Sequence, residues 1–360
     1  MRIYYNIDDM TSVAKLKSPI SRPKVTNAFI RVKSKIRRHS DSLRLIFLLS
    51  MAVLSGLLIA YANLLPNSIS DTSVMQKKTA FAKSAMANAP TQSNSLFATK
   101  PSWVQNFTDK TYKYLDPQYW SVLVGPAENG NNEAQYYTSN LSNISIKDGV
   151  LQLTATHESQ PLGYQYASSR IETKDKKSFL YGRIDITAKL PSGVGTWPAV
   201  WLLPANDNYA NLSPTSDALR YKNGGEIDII EAVGFEPNNV YGVAHSLSDT
   251  TDHPDGTGSY SAVIVPNNDT EYKTYTLLWT PDTMTFIVNN ESFFTYKRKS
   301  GADYKTWPFD QPFYLIVNLA IGGTWGGMDT AHYPNGIDNK ALPASLDIKS
   351  IYYYPYIGSK

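Results

Sequence analysis

The chain has 360 residues, with 34 Lys and Arg against 31 Asp and Glu, a formal charge of +3. Charged residues make up only 18% while aromatics reach 12%, a balance that excludes a chain disordered throughout. There is no cysteine, which removes disulfide scaffolds, thiolate zinc sites, iron–sulfur clusters and a Cys nucleophile together.

Residues 1–44 hold 11 Lys/Arg and three acids, a net of +8, leaving 23 of the 34 basic and 28 of the 31 acidic residues beyond them. The remainder is mildly acidic, so a nucleic-acid partner is not expected. The basic head is explained by the apolar segment next to it. Leu45 to Leu65 is uncharged and mostly apolar, and at ~1.5 Å per residue it matches the ~30 Å core of a bilayer. Arg31, Lys33, Lys35, Arg37, Arg38 and Arg44 lie just upstream, so the positive-inside rule keeps residues 1–44 cytoplasmic. The rest is expected to be exported, to the periplasm or the exterior. Ala60-Tyr61-Ala62 also fits a signal-peptidase site, so a transmembrane anchor and a cleaved signal both stand.

Residues 66–100 are rich in Ser, Thr, Asn, Ala and Lys and read as a flexible tether. All seven tryptophans lie beyond it, from Trp103 to Trp325, with no internal repeat and no second linker. One folded domain is expected over 101–360, as a monomer. Val150–Thr156 and Arg183–Leu190 alternate apolar and polar residues with a period of two. Tyr275–Thr280, Thr283–Val288 and Ser292–Tyr296 read as three strands joined by Pro281-Asp282 and Asn289-Asn290 turns. Pro312–Leu319 and Leu346–Tyr354 are β-branched and aromatic. So many strands without a helical stripe predict an all-β sandwich or barrel.

The chemistry concentrates in Glu226-Ile227-Asp228-Ile229-Ile230-Glu231. On a regular strand Glu226 and Asp228 share one face, and Glu231 has the wrong parity. A one-residue bulge near Ile229-Ile230 would put all three carboxylates on that face. Four strand steps of ~3.3 Å would then separate the two Glu Cα atoms by about 13 Å. Leaning side chains can close that to the ~5–5.5 Å of a retaining glycosidase pair. A solvated edge strand is the bland alternative. Upstream, Trp197 and Trp201 sit beside a Gly-rich turn and offer faces for pyranose rings, with core packing as the competing use. Asn131, Asn132, Glu133 and Gln135 supply groups for sugar hydroxyls, although turns are their commoner role.

Together these segments resemble glycoside hydrolase family 16, and within it the laminarinase-like endo-β-1,3-glucanases. NNEAQYYT from Asn131, SSRIETK from Ser168, GTWPAVWLLP from Gly195, VYGVAH ending at His245 and WPFDQPFYLIVNLAIGGTW from Trp307 stand in family order. The resemblance implies a concanavalin-like β-jelly-roll sandwich with a substrate cleft across one sheet. It implies Glu226 as nucleophile, Glu231 as general acid/base and Asp228 as the residue that tunes the nucleophile. Asn132, Arg170, Trp197, Trp201, His245 and Trp325 match sugar-contact positions. Asp347 matches a position that often ligates a structural calcium; no other cofactor is implied. Residues 206–223 and the run Gly322–Gly327 depart from the family pattern at the borders of the cleft. The function implied is retaining, endo-acting hydrolysis of β-1,3-glucan. A glucan transglycosylase and a mixed-linkage β-glucanase use the same residues, and a non-catalytic lectin is disfavoured because a binder gains nothing from three clustered carboxylates.

Overall fold

The computed structural model describes residues 96–107, 115–127, 131–206, 208–209, 224–248 and 259–358. The basic head and the apolar segment 45–65 lie outside them. Among the described residues no helix is long and apolar enough to cross a membrane. These residues form nineteen strands in two sheets.

The outer sheet contains β17 (Glu291–Lys297), β16 (Thr283–Val288), β15 (Lys273–Trp279), β10 (Gly182–Lys189), β19 (Ala344–Tyr354), β6 (Val150–His157), β7 (Tyr166–Ser168), β4 (Gln135–Tyr137) and β3 (Gly125–Pro126), in that spatial order. Off this path β1 (Trp103–Gln105) pairs with β19, and β5 (Ile144–Lys147) pairs with β6. The inner sheet runs β14 (Ser259–Ile264), β13 (Asn239–His245), β12 (Glu226–Glu231), β11 (Thr196–Pro204), β18 (Phe313–Ile321), β8 (Arg170–Glu172) and β2 (Ser121–Leu123), with β9 (Ser178–Phe179) alongside β18. All pairs are antiparallel except β4 with β7. The alternating and β-branched segments of the sequence therefore became strands, and the Asn289-Asn290 turn has both residues in the left-handed region, as a tight β16–β17 hairpin requires.

The core between the sheets is built by the inward parity of each strand. Val200 and Leu202 from β11, Ile227 and Ile230 from β12, and Leu315, Val317 and Leu319 from β18 meet Leu151, Ile184, Leu277, Phe286 and Ile351 of the outer sheet, all fully buried or nearly so. Trp279 anchors one end, its indole N–H donating to the Phe309 carbonyl at 3.1 Å. The second parity of β11 and β18 points to the opposite face of the inner sheet. There Ala199, Trp201, Tyr314 and Ile316 form one small apolar cluster, and Trp197, Val233 and Ala320 another.

The folded unit starts earlier than the tether boundary expected at residue 100. Phe97 is 4% exposed and bridges to Tyr356, because its ring finds an aromatic partner at the end of the chain's last strand region.

Gly234, just beyond β12, packs against the turn before β11. A Cβ built there would lie 1.7 Å from the Gly193 carbonyl oxygen, so no side chain fits without moving backbone. Gly234→Ala is expected to destabilise the protein by about 2 kcal/mol or more, read as a lower midpoint in chemical denaturation.

Candidate active site

β12 carries both the core and the chemistry. Its pairing with β11 runs Trp201 to Asp228 and Val200 to Ile230, so Ile229 is one residue too many for the partner strand. The pairing with β13 skips at the same place, Asp228 facing Val243 and Glu231 facing Tyr241. This is the bulge that the sequence parity required. It buries Ile227, Ile229 and Ile230 while turning Glu226, Asp228 and Glu231 to the opposite face.

His245 lies opposite Glu226 in the β12–β13 register. Its Nε2 is 3.2 Å from Asp228 Oδ2 and 3.8 Å from Glu226 Oε1. Asp228 is the deepest of the group, with its side chain 4% exposed against 18% for Glu226. On the other flank the Trp197 indole N–H donates to Glu231 Oε1 at 2.9 Å. The floor comes from β11, β18 and β8. Trp201 Nε1 donates to Asn318 Oδ1 at 2.7 Å, and Asn318 Nδ2 donates to the Tyr137 hydroxyl at 3.2 Å. Tyr137 and Gln135 both donate to Glu133 Oε2, at 3.3 and 2.6 Å. The Arg170 guanidinium lies 5.2 Å over the Trp201 ring and 3.5 Å from Glu172.

Burial dominates the electrostatics. It pushes Glu226, Asp228 and Glu231 each up to about 8, and the charge of Asp228 adds to the rise at both glutamates. His245 and Arg170 favour an ionised Glu226 against Glu231, while Trp197 and His245 favour an ionised Glu231 against Glu133. The three groups are raised alike, so the trio shares its protons as a unit.

The structure thus gathers Glu226, Asp228, Glu231, His245, Arg170, Trp197 and Trp201 on one sheet face. Trp325 joins them through edge-on contacts with Trp197 at 5.6 Å and Tyr241 at 4.9 Å. Asn132 is exposed with φ of +54°, next to the run holding Trp325, since the Asn131 carbonyl accepts from Thr324 N at 2.8 Å. Of the two uses the sequence left open for these tryptophans, packing describes Trp197 and Trp201 here, at 9% and 7% exposed and covered by their neighbours on the sheet. Residues 207 and 210–223 lie outside the described residues.

Asp347 does not fit a calcium ligand. It lies on β19 of the other sheet, its carboxylate ion-paired with Lys189 Nζ at 3.1 Å and bonded to Ser345 and Gln152. An oxygen already neutralised by an ammonium group is a poor donor to a hard dication. Among the described residues the cluster whose ligand-type atoms converge, within 4.8 Å, is Glu226, Asp228 and His245.

Asn318, Tyr137, Tyr241 and Glu172 were not singled out in the sequence as site residues. Asn318 left a signal, as the one polar side chain in the run Phe313–Ile321. The others gave none, because their roles depend on strand order.

The family model for glycosyl hydrolases family 16 matches residues 131–335. The chain belongs to glycosyl hydrolase family 16. The match takes in the whole carboxylate strand and the flanking β4, β8, β11, β13 and β18. Among family relatives, a beta-glucanase of Rhodothermus marinus is 36% identical over 290 residues, covering 79% of this chain and 96% of that protein. A glucan endo-1,3-beta-glucosidase A1 of Niallia circulans is 34% identical over 70% of this chain, which spans 37% of that longer protein. The crystal structure of the Rhodothermus marinus laminarinase superimposes with a TM-score of 0.65, at 36% identity, over 73% of this chain and all of that one. The protein is therefore a glycoside hydrolase.

The raised carboxylates carry a stability consequence. Below about pH 4 they are protonated both folded and unfolded. Between there and pH 8 the unfolded chain releases protons that the folded site retains, so the site's contribution falls as pH rises. Glu231→Gln, which is neutral at every pH and can still accept from Trp197, should raise the melting temperature by a few degrees at pH 8 and leave it nearly unchanged at pH 4. Scanning calorimetry of both proteins at the two pH values checks the sign.

Proposed function

We propose that the protein is a retaining endo-β-1,3-glucanase that cleaves laminarin-type glucan by double displacement. The observation that carries this reading is the row of carboxylates on one face of β12, with His245 beside Glu226 and the Trp197 N–H on Glu231. Glu226, as the anion, attacks the anomeric carbon. Glu231 gives its proton to the departing glycosidic oxygen, so the bond breaks without releasing an alkoxide. A covalent glycosyl ester on Glu226 remains. Glu231, now ionised, takes a proton from water, whose oxygen attacks the anomeric carbon and frees Glu226. Two inversions retain the configuration. Asp228, between the glutamates and beside His245, keeps negative charge near the nucleophile and disfavours simultaneous ionisation of the pair. The relatives' activities toward β-1,3-glucan support laminarin as substrate.

Glu226→Gln and Glu231→Gln are each expected to lower laminarin hydrolysis by about a thousand-fold or more. Azide should partly restore a Glu226→Gly variant. Proton NMR of the first product should show the β-anomer; an α-anomer, or agarose cleaved while laminarin is left intact, would remove the proposal.

The same reading places the hydrolase outside the cytoplasm. The support is the charge asymmetry around the apolar segment 45–65, which would insert in the membrane with residues 1–44 inside. Protease added to spheroplasts should digest the chain beyond residue 66 and spare an epitope within 1–44. A mature N-terminus at Asn63 would show cleavage of a signal instead of a retained anchor.

A further inference from the structure

We propose that Trp197 is a positioning residue for the proton donor, acting through its indole N–H on Glu231, and not a platform for sugar stacking. The inference rests on the assignment of Glu231 as acid/base. Three observations carry it. The indole ring has almost no open face, being 9% exposed and packed with Val233, Ala320 and Trp325. The run Gly323–Gly326 is seated directly on it. A Cβ at Gly326 would approach Trp197 Cβ at 3.0 Å, and one at Gly323 would approach Cζ3 at 3.2 Å. Its one polar atom is spent on Glu231 Oε1, at 2.9 Å.

The consequence is chemical. An indole N–H donates and cannot accept, and the carbonyl-type oxygen of a carboxylic acid accepts better than its hydroxyl oxygen, so the bond to Oε1 favours the acidic hydrogen on the other oxygen. The favoured site for the proton is Oε2. The carboxyl group is thus oriented before substrate arrives, with its O–H on one favoured oxygen, and no rotation is needed to protonate the leaving group. Trp325 braces the indole through an edge-on contact, and Tyr241 braces Trp325 in the same way. The titratable groups facing Glu231 are Asp228 on its own strand, His245 and the register partner Tyr241 on β13, and Glu133 from the segment entering β4. Among its hydrogen-bonding and charged neighbours, Trp197 and His245 favour the ionised form, and Asp228 and Glu133 oppose it.

Trp197→Phe keeps a ring and removes the N–H. In the full chain, with laminarin as substrate, kcat should fall roughly ten- to a hundred-fold while KM stays within about two-fold. The alkaline limb of the kcat/KM profile should move to higher pH, because a group that stabilises the carboxylate has gone. The loss should shrink when the glycosylation step is followed with a dinitrophenyl β-laminaribioside, whose leaving group needs no proton. Benzothienylalanine at position 197 keeps the bicyclic shape without an N–H donor, and it should reproduce all three effects even if the phenylalanine variant folds poorly. A ten-fold rise in KM with kcat and the pH limb unmoved, or unchanged kinetics in the isosteric variant, would overturn the proposal. Neither result would touch the acid/base role of Glu231, which the glutamine variant tests separately.

Discussion

One extra residue in one strand is the constraint on which the site depends. β12 must bury three isoleucines against the outer sheet and present three carboxylates to the other face, and a regular alternation of six residues cannot do both. Ile229 resolves the conflict by standing unpaired between Asp228 and Ile230. Its side chain stays in the core at 2% exposure, so the irregularity removes no apolar burial. The bulge also breaks the even spacing of the acids. Glu226 and Asp228 face the His245 side, while Glu231 is handed to Trp197. The two glutamates therefore sit in different surroundings although they share one strand.

That division is what makes a carboxylate cluster useful. Three buried acids raise one another's proton affinity, and a fold optimised for stability alone would replace at least one of them. Here the unfavourable charge is held on β12 by pairing on both sides with β11 and β13, and by a floor of hydrogen bonds running from Trp201 through Asn318 and Tyr137 to Glu133. Burial also keeps Tyr137 well above its ordinary range, so it stays protonated and able to donate to Glu133. Along that floor Trp201 Nε1, both Asn318 side-chain polar atoms, the Tyr137 hydroxyl and Glu133 Oε2 each have a defined partner.

The strands were legible in the sequence wherever one face of a strand is buried and the other is not. Gly182–Lys189, Thr283–Val288 and Ala344–Tyr354 match the alternating or β-branched segments to within two residues. The bulge was legible for a different reason: the third carboxylate had the wrong parity, and only an inserted residue corrects that. What the sequence could not show is which strands become neighbours. Asn318 reaches Trp201 and Tyr137 because β18 lies beside β11 and near β4, across separations of 117 and 181 residues. The burial of Trp197 was hidden likewise. Its cover comes from Trp325, far along the chain, on a glycine-rich turn whose close seating depends on side chains that are absent. The lysine partner of Asp347 was hidden as well, since only strand pairing reveals it.

The pairing of Phe97 with Tyr356, continued by the Ile357 amide donating to the Leu96 carbonyl at 2.8 Å, brings the two ends of the folded unit to one place. Any load carried by the residues ahead of Leu96 enters the domain at this short seam. It would act first on the two joined ends, through the Phe97 and Tyr356 rings, before it could reach β12. β12 lies apart from that seam, in the other sheet, paired with β11 and β13 on either side.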